Sequence, residues 1–212
     1  MTVVSPDNPA ILLASGSPRR LQLCKRIGFK PVVRVSSIPE QRGGDESPVE
    51  YARRLAGEKA GAVAEVHRGD SELPGWILSA DTIVVHDRQV LEKPEDEQHA
   101  RQMLHQLSGE AHEVITAFCW RRRALSSESE EVEERIVDVT ARVWLRELDE
   151  EMIARYVATK EPMDKAGSYG IQDVGSVLVR RLEGSYFAVV GLPVCEVVET
   201  LQEMGGLSSY PF

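Results

Sequence analysis

The sequence predicts an α/β protein, and three observations carry that expectation. Short apolar, strand-like runs alternate with amphipathic, helix-like segments along the chain. Two of the helical segments open on strong start signals, Ser17-Pro18 and Ser47-Pro48-Val49-Glu50. The 212 residues are 42% hydrophobic and 28% charged, the balance of an ordinary folded protein, and are enough to bury a core without disulfides. That length suits one compact domain or two small lobes sharing a core.

In chain order, Ala10–Ala14 reads as a buried strand, and Ser15-Gly16-Ser17-Pro18 as a turn into a helix. Ser17 can cap that helix, Pro18 suits its first position, Leu21, Cys24 and Ile27 form its apolar stripe, and Gly28 closes it. Pro31–Val35 is a second strand, followed by a loop around Pro39–Asp45. The capping box at Ser47 opens a helix running towards Val63. Ile77–Val85 is a strand, His86–Gln89 a turn, and Val90–Glu92 a return strand. Asp96 caps a helix with Ala100, Met103, Leu104 and Leu107 on its apolar face, ended by Gly109. Val114–Trp120 and Ile136–Trp144 read as an antiparallel pair, and Leu148–Val157 as a helix. Glu161–Gly175 is a long polar, Gly-rich loop. Val177–Leu182 and Tyr186–Val190 read as a hairpin about Glu183-Gly184-Ser185. Pro193 starts a last helix with Val194, Val197, Val198 and Leu201 inward, stopped by Gly205-Gly206.

Charge and cysteine usage exclude several classes. The net charge is −9 from 25 basic and 34 acidic residues, and a pI near 5.2 argues against broad nucleic-acid binding. Cys24, Cys119 and Cys195 are widely spaced, with no C-x-x-C pair and no His cluster, so reduced core cysteines are expected and a structural zinc site is not. No apolar run approaches the roughly 18–20 residues of a membrane span, and the N-terminus lacks signal-peptide features. A cytoplasmic protein with no membrane partner is expected. Glu128, Glu130, Glu131, Glu133 and Glu134 make an acidic run at 126–134 that reads as a solvated hairpin tip paired with Arg121-Arg122-Arg123.

Six places carry chemistry. Ser15-Gly16-Ser17-Pro18-Arg19-Arg20 follows a strand and opens a helix, presenting free N–H groups, two hydroxyls and two guanidinium groups, a set suited to an oligophosphate or simply to a capped helix with exposed arginines. Lys59 falls on the apolar face of its helix, where it either snorkels or points into a polar cleft. Asp81-Thr82 interrupts an apolar strand, and a buried carboxylate there needs a metal, a cation or hydrogen bonds; a strand-end Asp facing water is the other reading. Lys93-Pro94 and Lys165-Ala166-Gly167-Ser168-Tyr169-Gly170-Ile171-Gln172 add charge, stacking surface and close backbone approach. Glu40 offers a second carboxylate or an ordinary solvated loop charge.

Together, Leu13–Arg20, Ala80-Asp81-Thr82, Leu91-Glu92-Lys93-Pro94, Lys165–Gln172 and Val190-Gly191-Leu192-Pro193 resemble the Maf-like family of nucleoside triphosphate pyrophosphatases, over Ile11 to about Met204. The resemblance implies a two-lobed fold around a mixed twisted sheet with flanking helices, similar to inosine triphosphate pyrophosphatases, with a nucleotide cleft between the lobes. It implies a single domain over 1–212, with a short N-terminal extension (1–9). It further implies hydrolysis of a triphosphate to monophosphate and pyrophosphate with a divalent cation, Mg2+ or Mn2+. Position by position, Asp81 matches the catalytic and metal-binding carboxylate and Glu40 a second metal ligand. Ser15, Ser17, Arg20, Lys59, Lys93 and Lys165 match nucleotide-binding positions. Arg19, Thr82 and Gln172 fall at specificity positions with the residues of the dTTP/UTP branch. Pyrimidine nucleoside triphosphates are the implied partners, with room for a homodimer. A non-catalytic, nucleotide-binding regulator of septum formation or cell division is the alternative.

Overall fold

The computed structural model describes residues 9–123 and 132–207. Most of the acidic run, residues 126–131, and nearly all of the N-terminal extension therefore lie outside the described residues.

A seven-stranded mixed sheet has the order β2-β1-β3-β5-β6-β7, with β4 paired to β3. Its strands are β1 (Ala10–Leu13), β2 (Lys30–Val33), β3 (Trp76–His86), β4 (Gln89–Leu91), β5 (Ala111–Arg122), β6 (Glu134–Leu145) and β7 (Val179–Glu183). Strand β1 is parallel to both β2 and β3, whereas β4 runs antiparallel to β3 and β7 antiparallel to β6. The helices are α1 (Pro18–Arg26), α2 (Pro48–Val66), α3 (Glu97–Leu107), α4 (Glu150–Ala158), α5 (Tyr186–Val190) and α6 (Val194–Glu203). No helix among the described residues is long and apolar enough to cross a membrane.

The chain divides into two compact units. The first comprises residues 1–81, 117–138 and 191–212; the second comprises 82–116 and 139–190. In the first unit the β1–α1–β2 crossover needs both faces of β1 covered, and Ile11, Leu12 and Leu13 are fully buried. Helix α2 lays Tyr51, Ala52, Leu55, Ala56, Ala60 and Val63 inward, and its capping box satisfies two N-terminal donors. Trp120 meets Phe29 and Trp76 edge-on, at 6.0 and 6.4 Å between centroids, while its indole N–H donates to the Val197 carbonyl.

The second unit packs α3 and α4 around Leu104, Leu107, Val114, Leu145, Ile153 and Val157. Asp96 and Asp149 cap these helices through the His99 and Met152 amides. A two-residue turn, Asp87 (φ 48°) and Arg88 (φ 66°), joins β3 to β4 with the twist that tight hairpins require.

The structure differs from the sequence expectation at several elements. Tyr186–Val190 is a helix rather than a strand: Gly184 (φ 98°) turns the chain out of β7, and the Ser185 hydroxyl accepts the Ala188 N–H, so no hairpin forms there. In α1 the buried stripe is Leu23 and Cys24, with Leu21 only half-buried. In α6 Thr200 is buried, whereas Val198 is half-buried.

Arg121 and Arg122 pair with Glu134 and Glu133 as a hairpin would, but Arg123 turns inward. Its guanidinium donates to the carbonyls of His67, Leu73 and Pro74, closing the loop that follows α2. Cys24 and Cys119 are buried free thiols, but Cys195 is exposed on α6.

The segment Glu161–Gly175 is not open loop. Three short 3-10 turns, Glu161–Asp164, Ala166–Ser168 and Val174–Leu178, occupy it and the residues after it. Glu161 organises them: Oε1 accepts from the Tyr156 hydroxyl and the Gly175 N–H, and Oε2 from the Val174 N–H. A side chain at Gly167 is excluded on two counts, φ +67° and a Cβ that would lie 2.9 Å from Val84.

Candidate active site

In the first unit the site starts with the match between one strand face and one helix face. Ser79 and Asp81 are two residues apart on β3 and point the same way, while Ala56 and Lys59 are one turn apart on α2. The Ser79 hydroxyl donates to the Ala56 carbonyl at 2.5 Å, and Lys59 Nζ donates to Asp81 Oδ1 at 2.7 Å. Lys59 therefore neither snorkels to water nor leaves Asp81 unpaired: the two residues are 8% and 7% exposed. Asp81 faces a cation instead of solvent, as a buried carboxylate must.

Glu40 completes the cluster, with Oε1 2.8 Å from the same Nζ. The two carboxylate oxygens thus converge on one ammonium, although the Glu40 side chain is still half-exposed. Arg54 on α2 ties down the residues that follow Glu40. Its guanidinium donates to the Gln41 carbonyl and forms a two-pronged pair with Glu46, fastening the segment on both sides of the turn. Sequence reasoning missed Arg54; its spacing to Glu58 marks only a surface helix pair, and its long reach to Gln41 has no local signature.

The Ser15–Arg20 turn has the expected form. Ser17 caps α1 through the Arg20 amide, and Ser15 Oγ accepts the Ser17 N–H. Arg20 donates through Nε to the Gly191 carbonyl at 2.9 Å and through Nη1 to Ser15 Oγ at 3.1 Å. Two motifs far apart in sequence, Ser15–Arg20 and Val190–Pro193, are joined by this one side chain. Burial lowers the Arg20 pKa from its ordinary value, the charges of Asp81 and Glu40 act against that, and Arg19 adds to it. Arg19 itself is half-buried at the helix start.

The residues present fit a hard divalent cation. Both candidate ligands are carboxylates, already close enough to share one ammonium, and magnesium is typically held by one or two carboxylates, with waters and substrate phosphates completing its octahedron. Among the described residues no group of three or more His, Cys, Asp or Glu could enclose a metal. An ion here would need its remaining ligands from water or a bound phosphate.

In the second unit Thr82 lies next to Asp81 in the chain, half-buried, with its hydroxyl 2.8 Å from that of Thr116. The Gly167 N–H donates to the Glu92 carbonyl, bringing the Lys93 segment against the 165–172 segment. Lys93 is exposed. Lys165 is drawn onto its own loop, donating to the Glu161 carbonyl and to Asp164, both at 2.6 Å. Gln172 is half-buried. Tyr169 packs edge-on against His112 and shares a 2.7 Å hydrogen bond with its Nε2.

A strand, a hydroxyl-rich turn opening a helix, and a buried lysine holding two carboxylates set a charged, polar site in an α/β fold. The profile described as Maf-like protein matches residues 10–204, and the chain belongs to that family. A dTTP/UTP pyrophosphatase of Geobacter metallireducens is 44% identical over 202 residues, covering 95% of this chain and all of its relative. Proteins of the same name from Escherichia coli and Vibrio cholerae are 46% and 42% identical, covering 93% and 91% of this chain and 94% and 97% of theirs. Among solved structures, the Ham1 protein of Staphylococcus aureus aligns with a TM-score of 0.39 at 10% identity, covering 64% of this chain and 71% of that one.

Proposed function

We propose that this protein hydrolyses dTTP and UTP to the nucleoside monophosphate and pyrophosphate, with Mg2+ or Mn2+ as the metal. The observation that carries the proposal is the buried Lys59 ammonium shared by Asp81 and Glu40. The family and the names of its relatives support the same reaction.

Water attacks the α-phosphorus, the bond from that phosphorus to the bridging oxygen breaks, and pyrophosphate leaves. Asp81 takes the proton from the attacking water. Lys59 fixes its direction by donating to one carboxylate oxygen at 2.7 Å, which leaves the other oxygen for the water. Ser15, Ser17 and Arg20 bind phosphate oxygens at the start of α1, where helix amides and a guanidinium favour negative charge. Asp81 and Glu40 would hold the divalent ion, which would supply charge neutralisation on the triphosphate. In the second unit, Lys93 and Lys165 are assigned to phosphate binding and Thr82 and Gln172 to base selection, with Arg19 as the third selecting residue.

A nucleotide panel with product analysis tests this. UTP and dTTP should give monophosphate and pyrophosphate in a metal-dependent reaction, with purine triphosphates much slower. Release of orthophosphate, or equal rates with GTP, would contradict the assignment. Tight UTP binding without turnover would favour the regulatory alternative.

A further inference from the structure

Lys59 and Asp81 are buried, and the Lys59 ammonium lies 2.7 Å from Asp81 Oδ1 and 2.8 Å from Glu40 Oε1. The place from which one cation reaches both carboxylates is therefore taken by the protein's own charge. Arg20, tied to the Gly191 carbonyl and to Ser15 Oγ, adds a second cation. Burial lowers its pKa and the charges of Asp81 and Glu40 act against that, so the guanidinium stands within their field. Two carboxylates thus face two fixed cations, and the cluster has no negative charge to spare for a divalent ion. Nor does any group of three or more His, Cys, Asp or Glu among the described residues offer such an ion a cage.

We infer that Lys59 holds the metal's place in the free protein, so that the divalent cation enters only together with a triphosphate and the substrate is the metal–nucleotide complex. The inference rests on the reading of Asp81 and Glu40 as the carboxylates that hold the ion. Its physical content is charge balance. A divalent ion arriving alone must displace a buried ammonium or sit beside it, and like charges repel strongly where there is little water. A triphosphate brings the missing negative charge and the oxygen ligands that magnesium usually takes besides one or two carboxylates. Until then Lys59 keeps Asp81 paired, as a buried carboxylate requires.

Equilibrium dialysis of Mn2+ against the protein, alone and with α,β-methylene-UTP, which cannot be cleaved between its α- and β-phosphates, tests this. Mn2+ and its nucleotide complex cross the membrane freely, so only protein-bound metal accumulates. At equal free Mn2+, below saturation, the wild type should hold at least about ten-fold more metal with the nucleotide than without it. Without nucleotide, Lys59→Met should bind Mn2+ at least about ten-fold more tightly than wild type, and Lys59→Arg should stay within about three-fold of it. Adding Glu40→Gln to Lys59→Met should remove the gain, which assigns it to this cluster and not to the acidic surface. No gain in Lys59→Met overturns the inference. Should Lys59→Met not fold, the wild-type comparison decides. Tight retention with and without nucleotide overturns the inference but leaves the metal reading of the two carboxylates standing. Retention in neither condition refutes that reading, and the inference with it.

Discussion

Lys59 is the ammonium in contact with both Asp81 and Glu40, so removing it sets two negative charges together where Asp81 has almost no water. Breaking a buried pair from one side typically costs about 3–5 kcal/mol, because the remaining charge is left uncompensated. Lys59→Met, measured by urea denaturation at neutral pH without metal, should lose stability on that scale. The double variant Lys59→Met/Asp81→Asn should be less destabilised than Lys59→Met alone, since the buried charge is then gone. Additive losses would mean that Lys59 and Asp81 are not coupled as their geometry implies. The identities of these two residues as odd members of apolar elements were readable from spacing alone. Their contact was not, because it depends on the register between β3 and α2. Arg123 shows the same limit: it follows Arg121 and Arg122 in a charged run, yet it satisfies carbonyls some 50 residues earlier in the chain, and no local pattern announces that.

Elements with strong local signals folded as their sequences predict. Helices α1, α2 and α3 begin at Ser17, Ser47 and Asp96, where the caps stand, because a cap is a contact within four residues. Helix α5 was misread because Tyr186–Val190 carries aromatic and β-branched residues, and only the Ser185 cap and the Gly184 turn outweigh that preference. The Glu161–Gly175 segment looked like loop because its order comes from one buried-side carboxylate, Glu161, reaching the amides of Val174 and Gly175.

Tyr169 in that segment leans on His112, whose Nδ1 is buried without a hydrogen-bond partner among the described residues. Burial, with a smaller push from His86, lowers the His112 pKa from 6.5 to about 4. An imidazole that resists protonation in the folded state but not in the unfolded one makes the unfolded state bind more protons. The stabilisation is therefore whole above pH 6.5 and is lost as pH falls towards 4, by on the order of 3 kcal/mol at about 1.4 kcal/mol per unit. His112→Gln should flatten the stability profile over that window, read from urea midpoints at several pH values. An unchanged acid slope would show that other groups dominate it.

At the scale of the whole molecule, Asp81 ends one compact unit and Thr82 begins the next, so the proposed proton acceptor and a proposed base-selecting residue are neighbours in the chain but belong to different packing units. The alternation of strands and helices and the motif order were legible in the sequence. The division at Asp81 was not, since it arises from which segments pack together and not from any linker. The central claim is that Asp81 is the carboxylate on which turnover depends. Pyrophosphate release from UTP with magnesium, measured for Asp81→Asn beside its thermal midpoint, tests it most directly. The amide keeps the shape, and Glu40 still faces Lys59, so the fold should survive with a midpoint within a few degrees of wild type. Turnover should fall at least about 100-fold, the lower end of general-base contributions. A rate near wild type, or a rate loss explained by unfolding at the assay temperature, would contradict the account.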